Sequence, residues 1–307
     1  MNKIRVVFMG TPSYATKIFE ALIDDEMFEV TSVFTQPDKP AGRGKHLTPP
    51  DIKKFILDNN LSIKIYQPEN LKNDEIINIL KSQNPNFIVV AAYGKILPSS
   101  ILNIATCINL HASLLPKYRG ASPIQYAILN ADKYSGVAAM KMEKGLDCGD
   151  ILGFSYVEND NLTSNELFEL LSKKAACLTI KTLKNFHDIL HIKQIDSQSS
   201  YALKIKKEDG LCDFSFTCKE LTQRFLAYSP WPGLYLPNGI KLKNFICEKK
   251  RHNFNHGEII QIHEEEVVVA CKDGFVNIKR LNPPSKHEMS ASDYINGKRM
   301  KIGDKIY

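Results

Sequence analysis

Residues Phe87 to His111 read FIVVAAYGKILPSSILNIATCINLH: one apolar run, a helically spaced piece, and a second apolar run that closes on Asn109 and His111. FIVVAAY (87–93) and CINLH (107–111) are apolar at successive positions, so each suits a strand buried on both faces. SSILNIA (99–105) between them has helical spacing. Two such strands joined by a helical crossover are parallel neighbours in a covered sheet. The same alternation runs upstream, with strands expected at IRVVFM (4–9), FEVTSVFT (28–35) and LSIKIYQ (61–67). Helices are expected at YATKIFEALID (14–24), DIKKFILDNN (51–60) and LKNDEIINILKS (71–82). The expectation is a Rossmann-like α/β domain with a doubly wound, mostly parallel sheet. Ligands of such sheets sit beyond the carboxyl ends of the strands, where Asn109 and His111 fall.

Downstream the pattern changes. SGVAAMKMEKG (135–145) and ILGFSYVE (151–158) suit a hairpin connected through GLDCGD, and Thr163 with Glu166 forms a capping box that opens a long helix to about His187. Residues 193–207 are polar and weakly periodic, which suits a linker. Beyond them come a helical piece, FTCKELTQRFLAY (216–228), and short strands separated by turn residues, as in a small antiparallel barrel of OB-like type. The expected organisation is a catalytic domain over 1–192, the linker 193–207 and a barrel domain over 208–307.

Composition narrows the function classes. The chain has 307 residues, 43% hydrophobic and 24% charged, with one Trp. No apolar run approaches the roughly 20 residues of a membrane helix, and the first ten residues carry no signal-peptide pattern, so a cytoplasmic protein is expected. The seven cysteines stand singly without a C-x-x-C pair, so neither a zinc site nor a disulfide framework is indicated, and no metal is expected. The net charge is +6, and residues 201–307 hold 18 of the 40 Lys and Arg against 13 of the 34 Asp and Glu. A basic last third suits a polyanionic partner, and solubility alone would explain it equally well.

A buried Asn and His can form a satisfied structural pair. Here a third group is close in the pattern: LDCGD places Asp147 at the hairpin connection. An amide, an imidazole and a carboxylate converging on one carbonyl would serve as hydrogen-bond donor, proton carrier and orienting base, which is acyl transfer without a covalent enzyme intermediate. Cys148 offers a covalent alternative, but Asp147 and Asp150 beside it would raise its thiol pKa rather than lower it. Gly10 follows the first strand without a G-x-G-x-x-G pattern, so a nicotinamide enzyme is disfavoured.

NLHASLLPKYRGASPIQYAI (109–128) followed by GLDCGDIL (145–152) resembles the 10-formyltetrahydrofolate-dependent formyltransferases, with their N-x-H, S-L-L-P-x-x-x-G and L-D-x-G pattern. The similarity extends through FMGTPSYA (8–15), QPDKPAGRGKHLTPP (36–50), AAYGKILP (91–98), YSPWPGLYL (228–236) and LNPPSKHEMSASDYINGKR (281–299), nearly end to end. These longer stretches are similar to the family members whose acceptor is methionine esterified to initiator tRNA. Tyr14 stands where Phe is usual.

The resemblance implies 10-formyltetrahydrofolate as formyl donor and methionyl-initiator tRNA as partner and acceptor; a monomer is the default expectation. It implies Asn109, His111 and Asp147 as the catalytic trio. Ser113, Leu114, Leu115 and Pro116, with Tyr93, Gly94, Ile96 and Leu97, would form the folate-binding loops. Lys39, Arg43 and Lys45 of the basic insert would meet the tRNA acceptor end, although a glycine- and proline-rich loop of this kind is otherwise a solvated insertion. The alternatives are a formyltransferase of the same superfamily that acts on a small amine, and a catalytically silent RNA-binding protein.

Overall fold

The computed structural model describes residues 3–41, 44 and 46–307. Strands in the first half are β1 (Ile4–Gly10), β2 (Phe28–Phe34), β3 (Lys39–Ala41), β4 (His46–Thr48), β5 (Lys64–Tyr66), β6 (Phe87–Ala91), β7 (Thr106–His111), β8 (Arg119–Gly120), β9 (Tyr134–Lys141), β10 (Ile151–Glu158) and β11 (Tyr201–Ala202). Helices are α1 (Ser13–Asp24), α2 (Asp51–Asp58), α3 (Asp74–Ser82), α4 (Ser99–Leu102), α5 (Pro123–Leu129) and α6 (Ser164–Lys184). The chain divides into two compact units, the first comprising Met1–Pro123, Tyr134–Glu158 and Leu167–Leu203, the second Ile124–Lys133, Asn159–Glu166 and Lys204–Tyr307. No helix among the described residues is long and apolar enough to cross a membrane.

The first unit is built on a seven-stranded sheet in the order β10-β9-β7-β6-β1-β2-β5. β5, β2, β1, β6 and β7 are parallel, while β9 runs antiparallel to β7 and β10 antiparallel to β9. The chain winds from β1 outward to β2 and β5, then returns to β6 and β7 on the other side. Strand order therefore reverses between β1 and β6, at Gly10 and Ala91. Side chains of β1 explain the unbroken apolar runs: Val7 and Met9 join Leu80 of α3 and Ile101 of α4 in one core. Phe8, pointing the opposite way, meets Phe19 of α1 with ring centroids 5.8 Å apart. Every residue of β6 is buried, because helices cover both faces.

Two features were not legible as elements. The insert 36–50 contains a hairpin, β3 against β4 with Lys39 opposite Thr48 and Ala41 opposite His46. Three-residue strands are too short to show a period. Lys39 is exposed on β3; Arg43 and Lys45 lie outside the described residues. α5 begins on Pro123 at a helical position that needs no N–H donor. The long helix α6 opens on the expected box, Thr163 N donating to Glu166 Oε2 at 2.8 Å and Glu166 N to Thr163 Oγ1 at 3.3 Å.

Tyr14, the departure from the usual Phe, has a function in this fold. It is buried, and its hydroxyl donates to the Leu110 carbonyl at 3.1 Å, between Asn109 and His111. Burial pushes its phenol far above the ordinary value, so it remains a neutral donor. Tyr14→Phe is expected to lower unfolding free energy by about 1 kcal/mol, seen as a lower denaturant midpoint at unchanged m.

In the second unit, β12 (Leu234–Tyr235), β13 (Lys241–Lys249), β14 (Ile259–Ile262), β15 (Val267–Cys271), β16 (Gly274–Asn282) and β17 (Met289–Ser290) form a six-stranded antiparallel sheet. Its order is β12-β13-β16-β15-β14, with β17 on β16. α7 (Cys218–Tyr228) starts on a Thr217–Glu220 capping box, and α8 (Ala291–Lys298) follows β17. Cross-strand register puts Cys247, paired with Val276, and Cys271, paired with Gly274, on one sheet face. Cys218 of α7 comes within 3.5 Å of Cys271, sulfur to sulfur. Burial raises all three thiols, Cys247 to about 11. Asp273 beside them accepts a hydrogen bond from Cys218 N at 2.7 Å and so caps the helix. The group packs as neutral thiols in an apolar layer.

Candidate active site

Asn109 and His111 emerge on one face at the carboxyl end of β7, because side chains two apart on a strand share a face. Their neighbours across the ladders are Val90 and Met140 for Asn109 and Ala138 for His111. The strand stops where Ser113 N turns back to the His111 carbonyl at 2.9 Å. Asp147 arrives from the connection between β9 and β10. That connection is held against the sheet by Met142 N to the Cys107 carbonyl and Lys141 N to the Asp150 carbonyl, both 2.8 Å. It passes so close to β9 that a Cβ on Gly149 would stand 1.8 Å from the Lys141 carbonyl oxygen. Glycine in L-D-C-G is thus a requirement of the backbone path.

The three expected catalytic side chains meet. Asn109 Nδ2 donates to Asp147 Oδ1 at 3.3 Å, and Gly120 N donates to Asp147 Oδ2 at 2.9 Å. His111 Nδ1 lies 3.6 Å from Asp147 Oδ2, with side chains 7% and 12% exposed. The opposite ring nitrogen, Nε2, is 2.8 Å from the Tyr118 carbonyl oxygen. A carbonyl only accepts, so Nε2 carries the hydrogen, and Nδ1 is the nitrogen turned to Asp147. The imidazole is therefore oriented by Tyr118, and Nδ1 donates only when the ring is protonated. Tyr118 and Asp147 both hold left-handed backbone, at φ 60° and 49°. Non-glycine residues adopt that conformation at a cost, here met at the two positions that aim His111 and the carboxylate.

Other expected site residues divide by what their side chains do. Ser113 Oγ donates to the Lys117 carbonyl at 2.6 Å, closing the loop that follows β7. Leu115 is buried with Ala138, Met140 and Ile151. Tyr93 and Leu97 are core residues, and burial pushes the Tyr93 phenol up to about 12. Its hydroxyl has no hydrogen-bond partner among the described residues. Leu114 and Pro116 are partly exposed, and Ile96 is 86% exposed. Gly94, at φ 79°, turns the loop after β6. The Tyr93 carbonyl accepts from Thr11 Oγ1 at 3.1 Å and Gln36 Nε2 at 2.9 Å, which pins that loop across the ends of β1 and β2.

Cys148 does not join the trio. Its sulfur lies 3.9 Å from the Lys144 carbonyl oxygen, and a Cβ on Gly145 would stand 2.4 Å from it, so the thiol fills its own turn. The cluster offers donors, a ring nitrogen and a carboxylate, with no nucleophile activated among them, a set suited to acyl transfer between two bound substrates.

Sequence reasoning missed three contributors. Tyr118 and Gly120 act through the backbone, which no side-chain pattern reports. Gln194, within the stretch expected as linker, donates from Nε2 to the Asp147 carbonyl at 2.9 Å and the Gly149 carbonyl at 2.8 Å. Residues 193–203 of that stretch are built into the first unit: β11 pairs with β8 in parallel, and Ser200 Oγ accepts from Tyr118 N at 2.9 Å. Its polarity reflects side chains that bond to loops, and a two-residue strand carries no period.

The profile of the family described as "Formyl transferase" matches residues 2–183, and "Formyl transferase, C-terminal domain" matches residues 204–299. A protein named methionyl-tRNA formyltransferase from Campylobacter hominis is 51% identical over 306 residues, covering 99% of this chain and 100% of that protein. One of the same name from Nitratiruptor sp. is 50% identical over 305 residues, with 99% and 100% covered. Among solved structures, WlaRD, a sugar 3N-formyl transferase in the presence of dTDP and 5-N-formyl-THF, superposes with a TM-score of 0.66 at 22% identity, covering 94% of this chain and 100% of that one. HypX from Aquifex aeolicus in complex with tetrahydrofolic acid gives 0.64 at 15% identity, over 98% of this chain and 49% of that one. At such identities the two structures speak for the fold alone.

Proposed function

This chain belongs to the formyl transferase family, and from that premise we propose that Asn109, His111 and Asp147 carry its reaction. The reaction is transfer of the formyl group of 10-formyltetrahydrofolate to the α-amino group of methionyl-initiator tRNA. The acceptor rests on one observation, identity of about half to methionyl-tRNA formyltransferases over the full length of both chains.

The free α-amino group has a reference pKa of about 7.7–8.0, so a useful fraction is neutral near pH 7. It attacks the formyl carbon directly. A new C–N bond forms, charge develops on the formyl oxygen, and Asn109 Nδ2 and protonated His111 donate to that oxygen. The bond to N10 then breaks. One proton leaves the attacking amine and one is delivered to N10, and Asp147, already beside both donors, accepts the first. The partly exposed Leu114, Pro116 and Ile96, with the backbone at Gly94 and around Ser113 and Leu115, line the folate side. Tyr93 and Leu97 support that loop from the core.

Lys39 on the β3–β4 hairpin, with Arg43 and Lys45 of the same basic insert, meets the acceptor end of the tRNA, while the basic last third binds phosphates. Arg43→Ala is expected to lower kcat/KM for methionyl-tRNA about tenfold at low salt with the KM for folate unchanged. The deficit should narrow as salt rises, because one phosphate contact fewer gives a shallower salt slope. We further infer a monomer, since one chain supplies the whole trio, and a cytoplasmic location, since the proposed acceptor is charged initiator tRNA.

The test offers 10-formyltetrahydrofolate with charged initiator tRNA, with free methionine and with amino sugars. Formyl transfer to the tRNA alone is the expected result. Transfer only to a small amine, or no transfer at all, overturns the assignment.

A further inference from the structure

We propose that Gln194, backed by the buried Arg119, is a positioning residue for Asp147. The inference rests on the role given to Asp147 above, and it concerns what keeps that carboxylate in place. The connection carrying Asp147 has strained backbone at φ 49° and a glycine on each side, Gly145 and Gly149. Left to its own local preferences such a segment samples many conformations. Two of its carbonyls, those of Asp147 and Gly149, are gathered by a single amide nitrogen, Gln194 Nε2, at 2.9 and 2.8 Å. An amide nitrogen has two hydrogens, so each carbonyl receives one.

The amide is itself fixed in orientation. Its oxygen accepts from Arg119 Nε at 3.0 Å and from the Nη2 of the same guanidinium at 2.9 Å. Flipping the amide would turn oxygen toward two carbonyls and nitrogen toward a cation. Arg119 is only 3% exposed, and its charge is met by Asp196 Oδ1 at 2.9 Å. Its backbone is fixed as well, Arg119 N donating to the Ser200 carbonyl at 2.8 Å. The next residue, Gly120, supplies the N–H that binds Asp147 Oδ2 at 2.9 Å. Arg119–Gly120 therefore acts on Asp147 twice, through main chain on the carboxylate and through Gln194 on the backbone behind it. A Cβ on Gly120 would stand 2.6 Å from the Ala202 carbonyl oxygen. The structure thus closes β8 tightly on β11 and leaves little slack in the clamp.

The discriminating variant is Gln194→Glu. It keeps an oxygen for Arg119 and replaces the donor by a second oxygen facing the two carbonyls. The expected result is a kcat lower by about 10- to 100-fold, as for a reacting group displaced by a fraction of an ångström to an ångström. The KM values for methionyl-tRNA and 10-formyltetrahydrofolate should each stay within about threefold. Combined with Asp147→Asn, Gln194→Glu should cost less than about twofold more, because a residue acting through Asp147 has nothing left to position. Full kcat in Gln194→Glu while Asp147→Asn is crippled overturns the clamp and leaves the role of Asp147 standing. Losses that multiply in the double variant also overturn it. Full activity in Asp147→Asn overturns the role of Asp147, and the clamp with it. Should Gln194→Glu fail to fold, Arg119→Lys, which loses the fork on Gln194 Oε1 but keeps the charge, reads the same kcat-against-KM split and the same non-additivity.

Discussion

Asp147→Asn yields a folded protein whose kcat for formyl transfer is lower by about 10²- to 10⁴-fold, the range for removal of a positioned general base. The fold survives because the Asn oxygen still accepts from Gly120 N, which now bonds Asp147 Oδ2 at 2.9 Å. What disappears is the negative charge and the second acceptor. The new amide nitrogen faces Asn109 Nδ2, which donates to Asp147 Oδ1 at 3.3 Å, so donor meets donor. The charge that would stabilise protonated His111 across 3.6 Å is also gone. Single-turnover measurements at saturating folate and tRNA separate this loss from binding. A rate within about threefold of the parent chain, with an unchanged melting temperature, would remove Asp147 from the chemistry.

Asn109→Ala should cost about 10²- to 10³-fold in kcat, or about 2.7–4 kcal/mol of barrier, the usual loss of one donor to a developing oxyanion. Its side chain is half-buried at the end of a strand paired on both sides, so truncation leaves the ladder intact. The KM for 10-formyltetrahydrofolate should change little, since the formyl oxygen gains its charge only on the way to the transition state. A loss confined to KM would make Asn109 a ground-state binding group. Asn109→Asp sharpens the reading: it is nearly isosteric, places a second carboxylate beside Asp147, and should be at least as inactive as the alanine variant.

Much of the first unit was legible because its strands are buried on both faces. FIVVA has no polar position to confuse the period, and β6 is buried throughout. The doubly wound class and the placing of Asn109 and His111 beyond a strand end follow from the element sequence, while the reversal of strand order between β1 and β6 emerges only from the strand pairing. Asp147 was legible as the third member of the set, while the hydrogen bond that joins it to Asn109 was not, since it depends on a connection whose path is set by Gly149. The backbone groups that complete the site, Tyr118 O and Gly120 N, have no signature in side-chain type. Gln194 and Arg119 were hidden for another reason. A long polar side chain that bonds to groups 45 to 75 residues away looks, in sequence, like any residue of a solvated linker. In the second unit the thiols were visible only one at a time, because their convergence depends on strand register and on the seating of α7.

The pairing of β11 with β8 also bears on the order in which the chain is made. By the time residue 184 has been synthesised, all seven strands of the first sheet, α6 and the whole trio are present. The amide that gathers the Asp147 and Gly149 carbonyls comes ten residues later, and the strand that closes on Arg119–Gly120 ends at Ala202. A nascent chain would thus pass through a stage in which the nucleotide sequence for every reacting group has been translated while the carboxylate is still loosely held. Competence would arrive with the last few residues of the unit, as a late event of synthesis.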